Sequence, residues 1–324
     1  MIFSNYFSSN TLLVDTWFEL VDGGISKFDG SESEVKQEDI LNVRLYGNLE
    51  KVSIDALVEF LTSNKSILKF RSLSAEHCEF QVFSMSDLIS RQDMVSHLIP
   101  LEINFVVMPE SQRTIEPKLM VFDMDSTLIQ MECIDEIARM CGFYDKVSAI
   151  TERAMRGELD FAESLKERVA LLAGLEESQF LSLTKSLPVT EGVVDVVSWA
   201  KKNECKIAVV SGGFMPFVSE LKSQLGLDYA HANELEVIDK KLTGQVSSKI
   251  VDGEEKRSYM LKLREALNLR KEQVWAIGDG ANDLSMMSAA GLGVAFHAKP
   301  SVVKKASASI RLPKMQDLLF FLEG

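Results

Sequence analysis

Two aspartates stand one residue apart in "KLMVFDMDSTLIQ", residues 118–130, directly after an apolar run. A carboxylate can attack phosphorus and carry the phosphoryl group as an acyl phosphate, and aspartate is ionised at neutral pH without special tuning. Asp123 is therefore a candidate nucleophile. Asp125 is spaced to protonate a leaving oxygen and then to deprotonate a hydrolytic water. Further along, "VVSGGF" supplies Ser211, Gly212 and Gly213, whose hydroxyl and backbone N–H groups can donate to phosphate oxygens. "IGDGANDLS" supplies Asp279, Asn282 and Asp283, and "DGEEKRSYML" supplies a cation, Lys256. Brought to one place, Asp123 and Asp279 would repel, and a hard divalent cation relieves that repulsion. Mg2+, with six oxygen ligands, suits such a set, whereas zinc would ask for thiolate or imidazole. Phosphoryl transfer needs little beyond such positioning and charge neutralisation.

These residues need elements to hold them. "LMVFD", "CKIAVVSGG", "QVWAIGDG" and "GLGVAF" are near-solid apolar runs of strand length, separated by helix-like stretches. That alternation predicts a parallel sheet covered on both faces. Ligands of such sheets bind beyond the carboxyl ends of the strands, which is where each polar group stands. Alone, each has a bland reading: a metal-loop fragment, a turn, a capped helix start. Their joint order at successive strand ends favours chemistry. About 80 residues separate the first two strands, nearly all helical in pattern. A simple crossover needs fewer, so a helical cap is expected at about 130–188.

The chain has 324 residues, 46% of them hydrophobic, enough for two domains. A net charge of -13 argues against nucleic acid as a partner. Residues 1–110 hold 8 Lys/Arg against 17 Asp/Glu, whereas 111–324 hold 27 against 31. The break falls in "VMPESQRTIEPKL", where Pro109 and Pro117 mark a linker over 111–117. The front part, 1–110, reads as a small α+β domain: strands at "LNVRLYG", "ILKFRSLS", "EFQVFSM" and "EINFVVM", with helices at "SIDALVEFLTSN" and "SMSDLISRQDMVSHLI". All the candidate chemistry lies beyond Pro117, so deleting 1–110 is expected to leave an active core. Cysteines and histidines are scattered, against a zinc site or a disulfide framework. Neither a signal peptide nor a membrane-spanning run is legible, which makes the cytoplasm the expected location.

"DMDSTLI", "SGG", Lys256 and "GDGAND" resemble the four motifs of the haloacid dehalogenase-like phosphatases. "DMDSTLIQMECIDEIA" with "AMRGELDFAESLKERVALLAGL" resembles the phosphoserine phosphatases of that family, over about residues 118–320. The resemblance implies an α/β fold: a Rossmann-like parallel sheet with an inserted helical cap over 118–324, behind an N-terminal ACT-like α+β domain. That front domain would serve regulation or dimerisation, with a homodimer as its assembly. The implied reaction is Mg2+-dependent hydrolysis of O-phospho-L-serine through an aspartyl-phosphate, the last step of serine biosynthesis. By resemblance Asp123 is the nucleophile and Asp125 the general acid/base. Asp123, the backbone carbonyl of Asp125, and Asp279 would hold Mg2+, with Asp283 behind them. Ser211, Gly212, Lys256 and Asn282 would bind the phosphoryl group. Glu132 would face the substrate ammonium and Arg168 its carboxylate, with Met155 and Phe161 as an apolar wall. Selecting a zwitterion does require an anion and a guanidinium, although Arg168 in "FAESLKERVALL" would otherwise read as a surface residue. The alternatives are another small-molecule phosphomonoesterase of this fold and, from a different class, a serine-sensing regulatory protein.

Overall fold

The computed structural model describes residues 18–21, 24–27, 40–47, 57, 59–61, 67–72, 76–83, 90–312 and 314–322. Most of the helix expected over 53–64 lies outside them. The strands in chain order are β1 (Phe18–Val21), β2 (Gly24–Lys27), β3 (Ile40–Tyr46), β4 (Ile67–Ser72), β5 (His77–Phe83), β6 (Asn104–Pro109) and β7 (Leu119–Phe122). There follow β8 (Lys206–Phe214), β9 (Tyr229–Asn233), β10 (Leu235–Ile238), β11 (Lys241–Val246), β12 (Val274–Gly278), β13 (Leu292–Phe296) and β14 (Ala308–Ile310). The chain divides into two compact units, Pro117–Gly291 and a second made of Met1–Glu116 with Leu292–Gly324.

In the unit Pro117–Gly291, β12, β7, β8 and β9 lie side by side and parallel. β7 sits between β12 and β8, and all four of its side chains are buried, which is why "LMVF" is unbroken by polar residues. The β8–β9 pairing shifts register between Val210 and Phe214, so the strand segment Ser211–Gly213 bulges from the regular ladder. The helix Val193–Lys202 covers the sheet with Val193, Val196, Val197 and Ala200.

Residues 130–188 form a helical insertion between β7 and that helix, with helices Cys133–Met140, Tyr144–Met155, Phe161–Ala170 and Glu177–Ser182. Its two ends are tied together: Gln130 N donates to Pro188 O at 2.8 Å and Thr190 N to Leu128 O at 2.9 Å. The helix Phe161–Ala170 starts at a reciprocal cap, where Asp160 accepts from Glu163 N and Glu163 accepts from Asp160 N. Its inward face is Ser164, Leu165 and Val169. A hairpin, β10–β11, turns through Asp239 and Lys240 at φ 50° and 60°, the twist that short hairpins favour. Leu242 of this hairpin exchanges backbone bonds with Gly174 and Leu175 of the insertion.

In the other unit the order is β2-β1-β4-β5-β3-β6-β14-β13. β13, read from sequence as the fourth strand of the parallel sheet, pairs in parallel with β14. The other edge of β14 is taken by β6 of the front part, antiparallel, with Ala308 opposite Val106 and Ser309 opposite Phe105. Pairing covers an edge that would otherwise expose backbone groups. Asn104 locks the arrangement, its Oδ1 accepting from Arg311 N at 2.7 Å and its Nδ2 donating to Asp317 at 2.7 Å. On β3, β4 and β5, Glu79 receives hydrogen bonds from Asn42 at 2.7 Å, Arg44 at 3.3 Å and Arg71 at 2.6 Å. No helix among the described residues is long and apolar enough to cross a membrane.

Candidate active site

Asp123 follows β7 directly, and its N–H continues the ladder to Ile277 O at 2.9 Å. Only 5% of it is exposed. Its Oδ1 accepts from Met124 N and from Lys256 Nζ, each at 2.7 Å. Lys256 is fully buried and also donates to Asp283 Oδ1 at 2.8 Å. Carboxylate oxygens of Asp123, Asp279 and Asp283 all lie within 4.8 Å of one another. Burial and the Asp283 charge push the Asp123 carboxyl well above the usual range against the pull of Lys256. Burial and Asp283 likewise push Asp279 up to about 6. Burial works against the charge on Lys256, but Asp123 and Asp283 hold its ammonium above its ordinary pKa. A group of three carboxylates against one lysine, offering oxygen donors, fits a hard cation. The approach is so close that a Cβ on Gly278 would stand 2.3 Å from Asp283 Oδ2, which excludes other residues there.

Asp125 opens a tight turn in which the next residue, Ser126, takes φ 56°. Its Oδ1 accepts from Cys133 N, at a helix start, at 2.8 Å, and its Oδ2 accepts from Ser211 Oγ at 3.1 Å. Ser211 Oγ in turn accepts from Gly213 N at 2.8 Å. A Cβ on Gly212 would meet the Phe161 ring at 2.7 Å, so the wall and the turn are in contact.

Above this floor lies a cavity of about 660 Å3. Asp123, Asp125, Gly212, Gly213, Asp279 and Asn282 line its strand-end side; the insertion supplies Glu132, Ile134, Asp135, Thr151, Phe161, Leu165 and Arg168. Glu132 is exposed and accepts from Ser126 Oγ at 2.7 Å. Desolvation within the crevice and the Asp125 charge push its carboxyl up to about 7. The Arg168 Nε donates to Ser164 O at 3.2 Å, and among the described residues its terminal nitrogens take no acceptor. Burial lowers its pKa while Glu132 and Asp135 raise it. The structure thus gathers every sequence-selected residue except Met155, which ends its helix and whose side chain lies outside the description. Ser211, Lys256 and Asp283 stand behind the lining rather than on it.

Four contributors were missed from sequence. Thr127 is buried and donates to Asp279 Oδ1 at 3.3 Å, while Thr190 Oγ1 donates to Thr127 O at 2.8 Å. Asp135 faces the cavity. Asn233, buried at the end of β9, bonds to Gly212 O, Gly213 O and Val251 N. Its signal was its place at a strand's carboxyl end, but "YAHAN" has no apolar run to mark a strand.

The model of haloacid dehalogenase-like hydrolases matches residues 117–291, the span that builds this cavity. The chain belongs to the haloacid dehalogenase-like hydrolases. It is an enzyme of that family, whose phosphatases are metal-dependent, and its acidic cluster could hold a metal ion. A phosphoserine phosphatase of Saccharomyces cerevisiae is 40% identical over 85% of this chain and 92% of its own. The unliganded crystal structure of a probable phosphoserine phosphatase from Vibrio cholerae has a TM-score of 0.65 and 35% identity, covering 89% of this chain and 87% of that one. A phospho-aspartyl intermediate analogue of phosphoserine phosphatase has a TM-score of 0.61 and 41% identity, covering 64% and 100%.

Proposed function

We propose that the chain hydrolyses O-phospho-L-serine to L-serine and phosphate in a Mg2+-dependent reaction, the last step of serine biosynthesis. One observation carries the reading: a single cavity holds an aspartate pair on its floor and, on its wall, a carboxylate and a guanidinium suited to a zwitterion. Both bonds to Asp123 fall on Oδ1, which leaves Oδ2 to attack phosphorus. As that bond forms, the bond from phosphorus to the serine oxygen breaks, and Asp125 gives the leaving alkoxide its proton. Asp125 then takes a proton from water as the water oxygen attacks the phospho-aspartate, and the Asp123 carboxylate departs. Ser211, linked to Asp125 Oδ2, fixes that carboxyl for both proton transfers. Lys256 neutralises and orients Asp123 throughout. Gly212 and Asn282 would donate to the phosphoryl oxygens. A bound Mg2+, held by Asp123, the Asp125 carbonyl and Asp279 with Asp283 behind them, would neutralise charge on those oxygens.

Glu132 and Arg168 would take the ammonium and the carboxylate, and the insertion would act as a cap over them, with Met155 and Phe161 as its apolar wall. Residues 1–110 would form an ACT-like module for regulation or homodimerisation, and the enzyme would work in the cytoplasm. The test is phosphate release from L- and D-phosphoserine, phosphothreonine, glycerol phosphate and glucose 6-phosphate, with Mg2+ and with EDTA. The expected result is cation-dependent release, fastest with L-phosphoserine. Equal efficiency on glucose 6-phosphate, or full activity in EDTA after dialysis, would contradict the reading.

A further inference from the structure

We propose that Asn233 is a positioning residue for the phosphoryl-binding turn. Its carboxamide holds the carbonyls of Gly212 and Gly213 away from the reacting group, so that the segment offers the Gly212 N–H to it. The inference rests on the phosphatase reading of this cavity.

Asn233 is fully buried. Its Nδ2 donates to Gly212 O at 2.8 Å and Gly213 O at 3.2 Å, and its Oδ1 accepts from Val251 N at 2.8 Å. Two carbonyl acceptors on one side and an N–H on the other fix which end of the amide is which. The need for it follows from the register shift. After Val210 pairs with His231, the ladder resumes only at Phe214 with Asn233, so the glycine carbonyls have no strand partner there. Gly212 and Gly213 are half-buried, and carbonyls turned in from solvent need a donor. Were they to rotate inward, oxygen lone pairs would face phosphate oxygens.

The same amide reaches a second segment. Val251 precedes Asp252, which accepts from Glu255 N at 2.8 Å and caps the helix Gly253–Ala266. Lys256 lies in the first turn of that helix, and its N–H donates to Asp252 O at 2.9 Å. One side chain thus joins the turn that meets the phosphoryl group to the helix whose lysine holds the nucleophile.

Asn233→Asp keeps the shape and the acceptor for Val251 but sets a carboxylate oxygen against two carbonyls. KM for L-phosphoserine and for glycerol phosphate should rise together, by roughly 10- to 100-fold, as expected for one or two lost buried hydrogen bonds. The inhibition constant of inorganic phosphate should rise in parallel. The ratio between the two substrates should stay put, because the serine end is untouched. A residue that only stabilised the fold would lower Tm and the active fraction while leaving KM and phosphate inhibition alone. Folded Asn233→Asp protein with both constants within twofold of wild type would overturn the proposal. If that variant does not fold, Asn233→Ser is judged by the same two constants. Were the wild type inert on every phosphomonoester, the phosphatase reading would fall by itself. Calorimetric binding of inorganic phosphate to wild type and variant would still decide the role of Asn233.

Discussion

Each unit buries a charge network, and the two are built differently. In the front unit Glu79 is 0% exposed and stands between Arg44 and Arg71 on neighbouring strands, with Asn42 adding a further donor. Its carboxylate is answered on several sides, and the arginines and the hydrogen bonds hold its pKa low although burial alone would raise it. In the unit Pro117–Gly291 one lysine serves two of three clustered carboxylates. There the carboxyls of Asp123 and Asp279 are pushed up, and the cluster opens on a cavity. Buried charge as such does not mark a site. An excess of one sign facing a cavity does, because that excess calls for a ligand of the opposite sign.

Breaking each network should therefore be felt in a different currency. Asp123→Asn should remove turnover, by about 10^4-fold or more, since the amide cannot attack phosphorus. The fold should survive, as circular dichroism would show. Activity within tenfold of wild type would mean that another group is the nucleophile. Glu79→Gln should leave kcat and KM of the folded enzyme unchanged but destabilise it by roughly 3–5 kcal/mol, the usual result of stranding buried partners. Denaturant unfolding measures this; an unchanged midpoint would show that the front network is slack.

A smaller effect concerns pH. The proton on Asp279 competes with the cation, and its pKa is about 6 without one. Above that pH the carboxylate is free to bind metal, while below it the apparent Mg2+ affinity should fall by up to about tenfold per pH unit. In cation-free protein the sign reverses. A carboxyl whose folded pKa is raised contributes stability below its unfolded pKa and loses that contribution as pH rises through about 6. Magnesium titrations at pH 5 and 7 test the first half, and a flat affinity would remove Asp279 from the metal set.

Much of the candidate floor was legible because a buried parallel strand must be apolar throughout, so a polar residue after such a run stands out. Asp123, Ser211 and Asp279 were found that way. The wall was read from the chemistry of a zwitterion and from resemblance, since Arg168 by spacing alone is an ordinary helix residue. Other features had no local signature. β9 is half-buried and carries His231 and Asn233, so periodicity does not announce it. The roles of three clustered carboxylates depend on side-chain direction, which spacing does not encode: Asp283 lies within the same 4.8 Å of the others as Asp279. Nor does composition reveal that β14 takes β6 as its neighbour across some 200 residues. That pairing changes one expectation from sequence. Deleting 1–110 would strip the β6 edge and the Asn104 bond from β14 and Asp317, so the truncated protein should aggregate or lose stability. A soluble truncation with an unchanged Tm would show that the pairing is dispensable.

The central claim is that the wall of this cavity reads the serine end of the substrate while the floor reads the phosphate. The most direct measurement is kcat/KM for L-phosphoserine relative to glycerol phosphate in wild type, Arg168→Ala and Glu132→Gln. Loss of a charge-assisted pair inside a closed site costs about 2–5 kcal/mol, which is roughly 30- to several-thousand-fold in kcat/KM. The Arg168 variant should lose that factor on L-phosphoserine and little on glycerol phosphate, and Glu132→Gln should follow the same pattern. Equal losses on both substrates, or none on either, would contradict the claim and leave a cation-dependent phosphatase whose wall does not read serine.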